Sequence, residues 1–132
     1  MAVTGRFIGT AMTRFSCRPL MHSKEALFYY SVLSHETTHW AGAPHRLDRD
    51  MTGRFGSEAY AMEELVAELG AAFLCCELGL PSDPRIDHAP YIGSWIKVLK
   101  NDKRAIFTAS AKAQAAVDWM TKQVNPAVEQ AA

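Results

Sequence analysis

Two histidines and the acidic residue between them are the part of this sequence best suited to chemistry. His35, Glu36 and His39 form a His-Glu-x-x-His pattern within residues 34–40. On an α-helix, residues four apart lie on one face, so both imidazoles could bind one metal ion. Glu36 would then take a proton from an attacking water molecule instead of binding the metal. The pattern predicts a site for one zinc ion, with His35 and His39 as ligands and Glu36 as the catalytic residue.

A catalytic zinc has three protein ligands, so the sequence must supply one more. Glu64 and Glu68 are four residues apart in a largely apolar run, and they share a helix face with Tyr60. Buried carboxylates need a partner, which a metal ion and its histidines would provide. We assign Glu64 to the metal and Glu68 to a hydrogen bond from a ligating imidazole. Tyr60 could donate to a developing oxyanion or serve only as a packed ring, and Glu63 is interpreted as an ordinary surface acid.

His45 is the alternative third ligand. Residues 35–45 read HETTHWAGAPH, which fits the metzincin pattern H-E-x-x-H-x-x-G-x-x-H with Gly42 and His45 in place. The sequence downstream lacks an evident Met-turn, and the metzincin arrangement leaves the glutamates of the second helix without a role. We therefore favour Glu64 and keep His45 as the alternative metal ligand.

The composition indicates a globular protein with one domain. The chain has 132 residues, of which 48% are hydrophobic and 21% are charged, and fourteen basic residues balance fourteen acidic ones. This length suits a single core, which we place in residues 1–124, followed by a flexible tail at 125–132. The balanced charge excludes a global basic field that would attract nucleic acid.

The cysteines and the apolar runs indicate where the protein resides. No apolar run is long enough for a transmembrane helix, so no membrane partner is expected. Cys17 and the adjacent pair Cys75 and Cys76 give an odd count, which argues against a disulfide framework. A reducing compartment follows, and we predict a cytoplasmic location.

Four helices and a short sheet are predicted. Residues 2–15 alternate weakly between apolar and polar side chains and predict one or two strands, although Gly5 and Gly9 interrupt them. The first helix is predicted to follow a Ser23 cap and to open at Lys24 and Glu25. It continues through both histidines and ends near Gly42 and Pro44. The other helices are expected at 58–78 after a Ser57 cap, at 91–100 and at about 110–123. Core spacing is shown by Ile92, Trp95, Ile96 and Leu99 in the third helix and by Ala113, Ala116, Val117 and Met120 in the fourth.

Several stretches resemble the C-terminal metallopeptidase domain of ArdC-type antirestriction proteins. They are YYSVLSHETTHW at 29–40, RLDR at 46–49, YAMEELVAELGA at 60–71 and WIKVLKNDKRAIF at 95–107. The resemblance covers about residues 26–120. It implies that His35, His39 and Glu64 match the metal ligands and Glu36 the catalytic acid and base. The predicted fold class is therefore α+β and zincin-like, mostly helical with a small N-terminal β-sheet.

The resemblance also bears on partners. Such proteins are encoded by plasmids, phages and other mobile elements, and they pair the zincin-like domain with an N-terminal domain that binds single-stranded DNA. Only about two dozen residues precede the first predicted helix, so that domain is expected to be missing and any DNA association would depend on it. The sequence indicates neither the peptide or protein substrate nor the oligomeric state.

Three functions remain open at this point. The first is a zinc-dependent metallopeptidase, and the second is a non-catalytic binding module stabilised by metal. The third is a nucleic-acid-associated antirestriction domain, for which basic side chains could form local patches. Those side chains, which we interpret as a solvated surface, are Arg46, Arg49, Arg54, Lys97, Lys100, Lys103 and Arg104.

Overall fold

The computed structural model describes residues 26–80 and 89–124, which form four α-helices. They are α1 at Ala26–Ala41, α2 at Glu58–Glu77, α3 at Ala89–Asn101 and α4 at Ala105–Val124. The prediction of four helices is confirmed, and in the described part no helix is long and apolar enough to cross a membrane.

The predicted α+β class is wrong for the residues that the structure describes. Helices joined by irregular segments make up these residues, which contain no strand, so a small β-sheet is not supported. The prediction relied on weak alternation broken by glycines, and such a pattern is poor evidence for strands. The stretch 2–15, the Ser23 cap and the tail 125–132 lie outside the described residues.

Both ends of α2 are fixed by local hydrogen bonds. Ser57 caps the start, where its side-chain oxygen accepts from a backbone amide of the first turn at 3.1 Å. At the other end Gly79 adopts φ +66°, and its amide donates to the Cys76 carbonyl at 3.0 Å. The Leu80 amide donates to the Cys75 carbonyl at 2.8 Å, which completes a Schellman motif. The sequence signals at both ends are confirmed.

α4 begins at Ala105, five residues before the predicted start at Ser110. The Asp102 side chain accepts from the Arg104 amide at 2.9 Å, and its carbonyl accepts from the Ala105 amide at 3.1 Å. Asp102 is therefore the start signal, since a short acidic side chain can satisfy the free amides of a first helical turn.

α2 is the central helix, and its two faces pack against different helices. One face packs on α4, where Leu65 and Val66 meet Ala109 and Ala113. A second cluster joins the end of α1 to α4 and contains Ala41, Ala116, Val117 and Met120. α3 covers part of the same core with Trp95 and Leu99, whereas Ile92 and Ile96 are each 47% exposed and so do not lie in the core as predicted. The other face of α2 is left for α1.

The helices α1 and α2 approach each other closely where Gly70 meets Thr38. A Cβ atom added at Gly70 would lie 2.5 Å from Thr38 Cγ2 and 2.7 Å from its Oγ1. Thr38 is fully buried, and its hydroxyl donates to the Ser34 carbonyl at 2.8 Å. Because the Thr38 side chain is branched and held by that bond, only glycine fits opposite it. This contact brings the histidines of α1 against the glutamates of α2.

Candidate metal centre

Three buried side chains from α1 and α2 converge on one point. The Nε2 atoms of His35 and His39 are 3.2 Å apart. The Glu64 carboxylate reaches both rings, with Oε2 3.5 Å from His35 Nε2 and Oε1 3.5 Å from His39 Nε2. One ligand atom from each residue lies within 4.8 Å of the others.

The spacing of these atoms fits a divalent metal ion. Ligand atoms bound at about 2.1 Å to one tetrahedral zinc ion lie about 3.4 Å apart. The observed separations of 3.2 Å and, twice, 3.5 Å agree with that value. Two imidazole nitrogens and one carboxylate oxygen also form a known donor set of catalytic zinc sites, which keep a further position for water. The three residues can therefore hold a metal ion.

Glu63 contacts the other nitrogen of His39. Its Oε1 atom lies 3.1 Å from His39 Nδ1, and both side chains are buried. An ionised carboxylate only accepts, so Nδ1 donates, and Nε2 is the nitrogen that can bind a metal ion on the side of Glu64 once its proton is lost. Metal-binding histidines commonly make such a contact. The interpretation of Glu63 as a surface acid is wrong.

Arg49 holds Glu63 on its far side. Its Nε donates to Oε2 of Glu63 at 3.1 Å, and its Nη2 donates to Oε1 at 2.7 Å. The same Nη2 donates to the Thr38 carbonyl at 2.7 Å. Arg49 is only 8% exposed, so it does not belong to a solvated basic surface as expected. Two parallel charge-assisted bonds fix both the position and the plane of the Glu63 carboxylate.

Gly42 provides the space that the Arg49 guanidinium occupies. A Cβ atom at residue 42 would lie 2.7 Å from Arg49 Cζ and Nη2. The Arg49 amide also donates to the Gly42 carbonyl at 2.9 Å. α1 ends at Ala41, as the glycine predicted, and the backbone of Gly42 is not left-handed. A glycine is required there because of the close approach of Arg49.

Glu68 contacts the other nitrogen of His35. Its Oε2 atom lies 3.3 Å from His35 Nδ1. The Glu68 side chain is 24% exposed, compared with 5% for Glu63. Each histidine therefore has a carboxylate at Nδ1, but the one beside His35 is open to water.

The remaining predicted site residues lie at the edges of this cluster. Glu36 is half-buried beside His35 and is not among the three converging residues. Tyr60 is buried one turn before Glu64. The pKa of its phenol is raised, because burial and the Glu64 carboxylate both disfavour the phenolate. His45 is exposed in the turn after α1 and stands outside the converging group.

The charges of the cluster depend on one another. Burial alone lowers the pKa of His39, but the contacts with Glu63 and Glu64 outweigh it and raise that pKa to about 9. The pKa of His35 is raised in the same way, with burial outweighed by Glu64 and Glu68. Burial raises the pKa of Glu64, but the two histidines lower it overall. Without a metal ion, protons on the imidazoles therefore supply the positive charge that the carboxylate requires.

The pattern of α2 contained a signal for Glu63 that the sequence reasoning missed. Tyr60, Glu63, Glu64 and Ala67 follow the i, i+3, i+4, i+7 spacing of a buried helix face, and all four are buried. Arg49 lies in an irregular segment between helices. No periodicity distinguishes it there from the exposed arginines, so its role follows only from the path of the chain.

The chain is similar to proteins of known family and structure. A family model of zincin-like metallopeptidases matches residues 18–112. The metal-free structure of the antirestriction protein ArdC from plasmid R388 is 44% identical, with a TM-score of 0.67, over 79% of this chain and 37% of that one. The Mn(II)-bound structure of ArdC is 43% identical, with a TM-score of 0.70, over 80% of this chain and 39% of that one.

Two curated relatives contain a similar segment. The uncharacterized protein y4eC of Sinorhizobium fredii is 52% identical over 116 residues, which are 88% of this chain and 36% of y4eC. A DNA primase TraC of Escherichia coli is 50% identical over 92 residues, which are 70% of this chain and 9% of TraC. This chain thus spans about a third of the length of y4eC and less than a tenth of TraC.

Proposed function

Because this chain belongs to the zincin-like metallopeptidase family, we propose that it binds one zinc ion and hydrolyses peptide bonds. The observation that supports this most directly is the convergence of His35, His39 and Glu64, with separations that suit one tetrahedral ion. Glu36 follows His35 in the chain and is not one of the three converging residues, which supports a role in proton transfer and not in metal binding.

In this proposal each residue around the ion has its own role in catalysis. His35, His39 and Glu64 would hold a zinc ion, which would act as a Lewis acid that polarises the scissile carbonyl and makes a water molecule more acidic. Glu36 accepts the proton of the attacking water and returns it to the leaving amine. Tyr60, whose raised pKa keeps its hydroxyl protonated, donates to the oxyanion that develops on the substrate.

A second candidate is a metal-stabilised antirestriction domain without peptidase activity. The similarity to ArdC favours it, since that antirestriction protein has been solved with Mn(II) bound. In that case metal would connect α1 to α2 and stabilise the fold, while a larger protein performed the function. The chain covers 37% of ArdC, so the activity of the whole protein is a proposal in both cases.

Replacing the general base separates the two candidates. Glu36→Gln keeps the shape of the side chain but cannot accept a proton, so turnover of a peptide library should fall by about a hundredfold or more. Zinc content and thermal stability should stay at the wild-type level, because Glu36 is not a ligand. The matched control is Glu77→Gln, an exposed glutamate at the end of α2, about 20 Å along the helix from Glu64.

The outcomes favour different functions. Equal turnover by the wild type and Glu36→Gln, both with full zinc occupancy, would refute Glu36 as general base. Zinc binding without cleavage of any library peptide by the wild type would favour the non-catalytic antirestriction domain.

A further inference from the structure

The two histidines of the metal centre differ in the carboxylate that contacts Nδ1, which is buried beside His39 and partly exposed beside His35. We propose that Glu63 and Arg49 are positioning residues that fix His39, so that His39 is the rigid ligand of the site and His35 the adjustable one. This inference rests on the proposed metal site, and it adds how that site is kept in shape.

The contacts around His39 form a closed path through the protein. Arg49 donates to the Thr38 carbonyl, which is on the backbone of α1 next to His39. It also makes two bonds to Glu63 on α2, and Glu63 contacts His39 Nδ1. The path returns to α1 within one residue of its start. The imidazole therefore cannot rotate without losing its buried contact with Glu63, which Arg49 holds in place.

Every side chain on this path is shielded from water. Arg49 is 8% exposed, Glu63 5% and His39 5%. A buried ion pair is weak evidence for stability, because the loss of hydration offsets much of the attraction. The ion pair instead fixes geometry, because two parallel hydrogen bonds from the planar Arg49 guanidinium allow the Glu63 carboxylate only one orientation. Glu63 accordingly presents Oε1 to His39 in a fixed place.

The surroundings of His35 differ. Its Nδ1 meets Glu68 at 3.3 Å, and the Glu68 side chain is 24% exposed. Water can replace that carboxylate at the ring nitrogen, because the position is accessible. His35 can therefore adjust its ring when a metal ion or a substrate enters, while His39 stays in place.

The turn after α1 brings Arg49 to this position. The Arg49 amide donates to the Gly42 carbonyl, and the guanidinium packs where a Cβ atom at residue 42 would lie. The arginine is thus anchored by both its backbone and its side chain. A residue that only balanced charge would not need both a backbone hydrogen bond and a matching space beside Gly42.

The test compares the same substitution at the two carboxylates. Glu63→Gln and Glu68→Gln each replace a carboxylate at Nδ1 of one histidine by an amide. Zinc dissociation constants measured by chelator competition at one pH should rise about 10- to 100-fold for Glu63→Gln, the usual effect of losing an outer contact of a metal ligand. For Glu68→Gln the rise should stay below about fivefold, because water can take over the contact.

A double substitution separates positioning from folding. Glu63→Gln leaves the Arg49 charge buried without its partner, which could unfold the protein. Glu63→Gln combined with Arg49→Met removes both charges, so the metal-free protein should keep a cooperative thermal transition near that of the wild type. Zinc affinity should nevertheless remain at least tenfold weaker. In the zinc-loaded wild type, nitrogen NMR should show a sharp Nδ1–H signal for His39 that the double variant lacks.

The possible results decide between the proposals. Equal losses of affinity for the two single variants, or wild-type affinity in the double variant, would overturn the positioning role and leave the metal site intact. Failure of the wild type to bind zinc would overturn the proposed function and this inference together.

Discussion

Glu63 and Glu64 are consecutive in the sequence, yet their carboxylates lie at opposite nitrogens of one imidazole ring. Glu63 Oε1 is 3.1 Å from Nδ1 of His39, and Glu64 Oε1 is 3.5 Å from Nε2. Neighbouring side chains on a helix diverge by about 100°, so the ring must lie between their two directions. The two consecutive glutamates therefore contact the two nitrogens of the same ring, one at Nδ1 and the other at Nε2.

The ligand assignment predicts unequal effects at two positions. Glu64→Ala removes one of the three converging residues, so zinc affinity should fall by at least about a hundredfold, more than the 10- to 100-fold cost of losing an outer contact. His45→Ala should leave affinity unchanged, because His45 is exposed and outside the group. Competition titration of both variants checks this, and the reverse order would make His45 the third ligand.

The stability of the metal-free protein should depend on pH in a defined direction. The pKa of His39 rises from the usual 6.5 to about 9 in the folded state. Its protonated form therefore stabilises the fold fully below pH 6.5, and this contribution disappears as the pH rises through about 9. The pKa values of Glu63 and Glu64 lie below the usual 4.5. Their contribution is present above pH 4.5 and is lost as the pH falls through their lowered values.

The thermal unfolding temperature of the metal-free protein should consequently be highest between about pH 4.5 and 6.5. With zinc bound, the decline from pH 6.5 to 9 should disappear, because the ion replaces the protons. Differential scanning calorimetry with and without chelator measures both curves. Parallel curves over that range would contradict the view that protons and metal compete for the same nitrogens.

Two glycine-to-alanine substitutions should change the free energy of unfolding in opposite directions. Gly70→Ala should destabilise the protein by about 1–2 kcal/mol, because a clash with Thr38 of about 1–3 kcal/mol exceeds the helix gain of alanine. Gly93→Ala is the control, since a Cβ atom at this α3 position meets nothing within 4 Å. It should stabilise by about 0.5–1 kcal/mol. Urea unfolding of both variants tests the close approach of α1 and α2, and a stabilising Gly70→Ala would disprove it.

Tyr60→Phe should affect turnover without affecting metal binding. The Tyr60 hydroxyl lies near Glu64 and Tyr91, and its raised pKa keeps it a donor. Loss of an oxyanion donor costs about 100- to 1,000-fold in favourable cases, and we expect about 10- to 100-fold for this single hydroxyl. Tyr30→Phe, at a half-buried tyrosine of α1 outside the converging residues, is the matched control. Unchanged turnover in Tyr60→Phe would assign Tyr60 to packing alone.

Local patterns were sufficient to predict much of the helical frame. The apolar periodicity and the Ser57 and Gly79 signals marked α2 within one residue of its observed bounds, because caps and periods are encoded in short stretches. The start of α4 was missed since Asp102 follows a helix end so closely that the two signals overlap. The sheet was predicted from residues 2–15, which lie outside the described residues, and the described residues contain no strand.

The site was predictable only where its residues sit on regular helices. His35 and His39 share a face by spacing alone, and the position of Glu64 follows from the apolar stripe of α2. The contact between Arg49 and Glu63 joins an irregular turn to a helix fourteen residues further on. No local rule specifies such a contact, since it depends on how the turn reverses and where Gly42 leaves room.

The turn between Gly42 and Arg49 has a consequence for how the sequence can change over time. Surface turns ordinarily accept added or deleted residues. Here the residue at one end of the turn faces the guanidinium at the other, so a single insertion would move Arg49 out of reach of Glu63. The number of residues separating His39 from Arg49 is therefore expected to be invariant among functional homologues, whereas the exposed residues between them, such as Pro44 and His45, can vary. A length change in this turn would mark a copy whose metal centre has decayed.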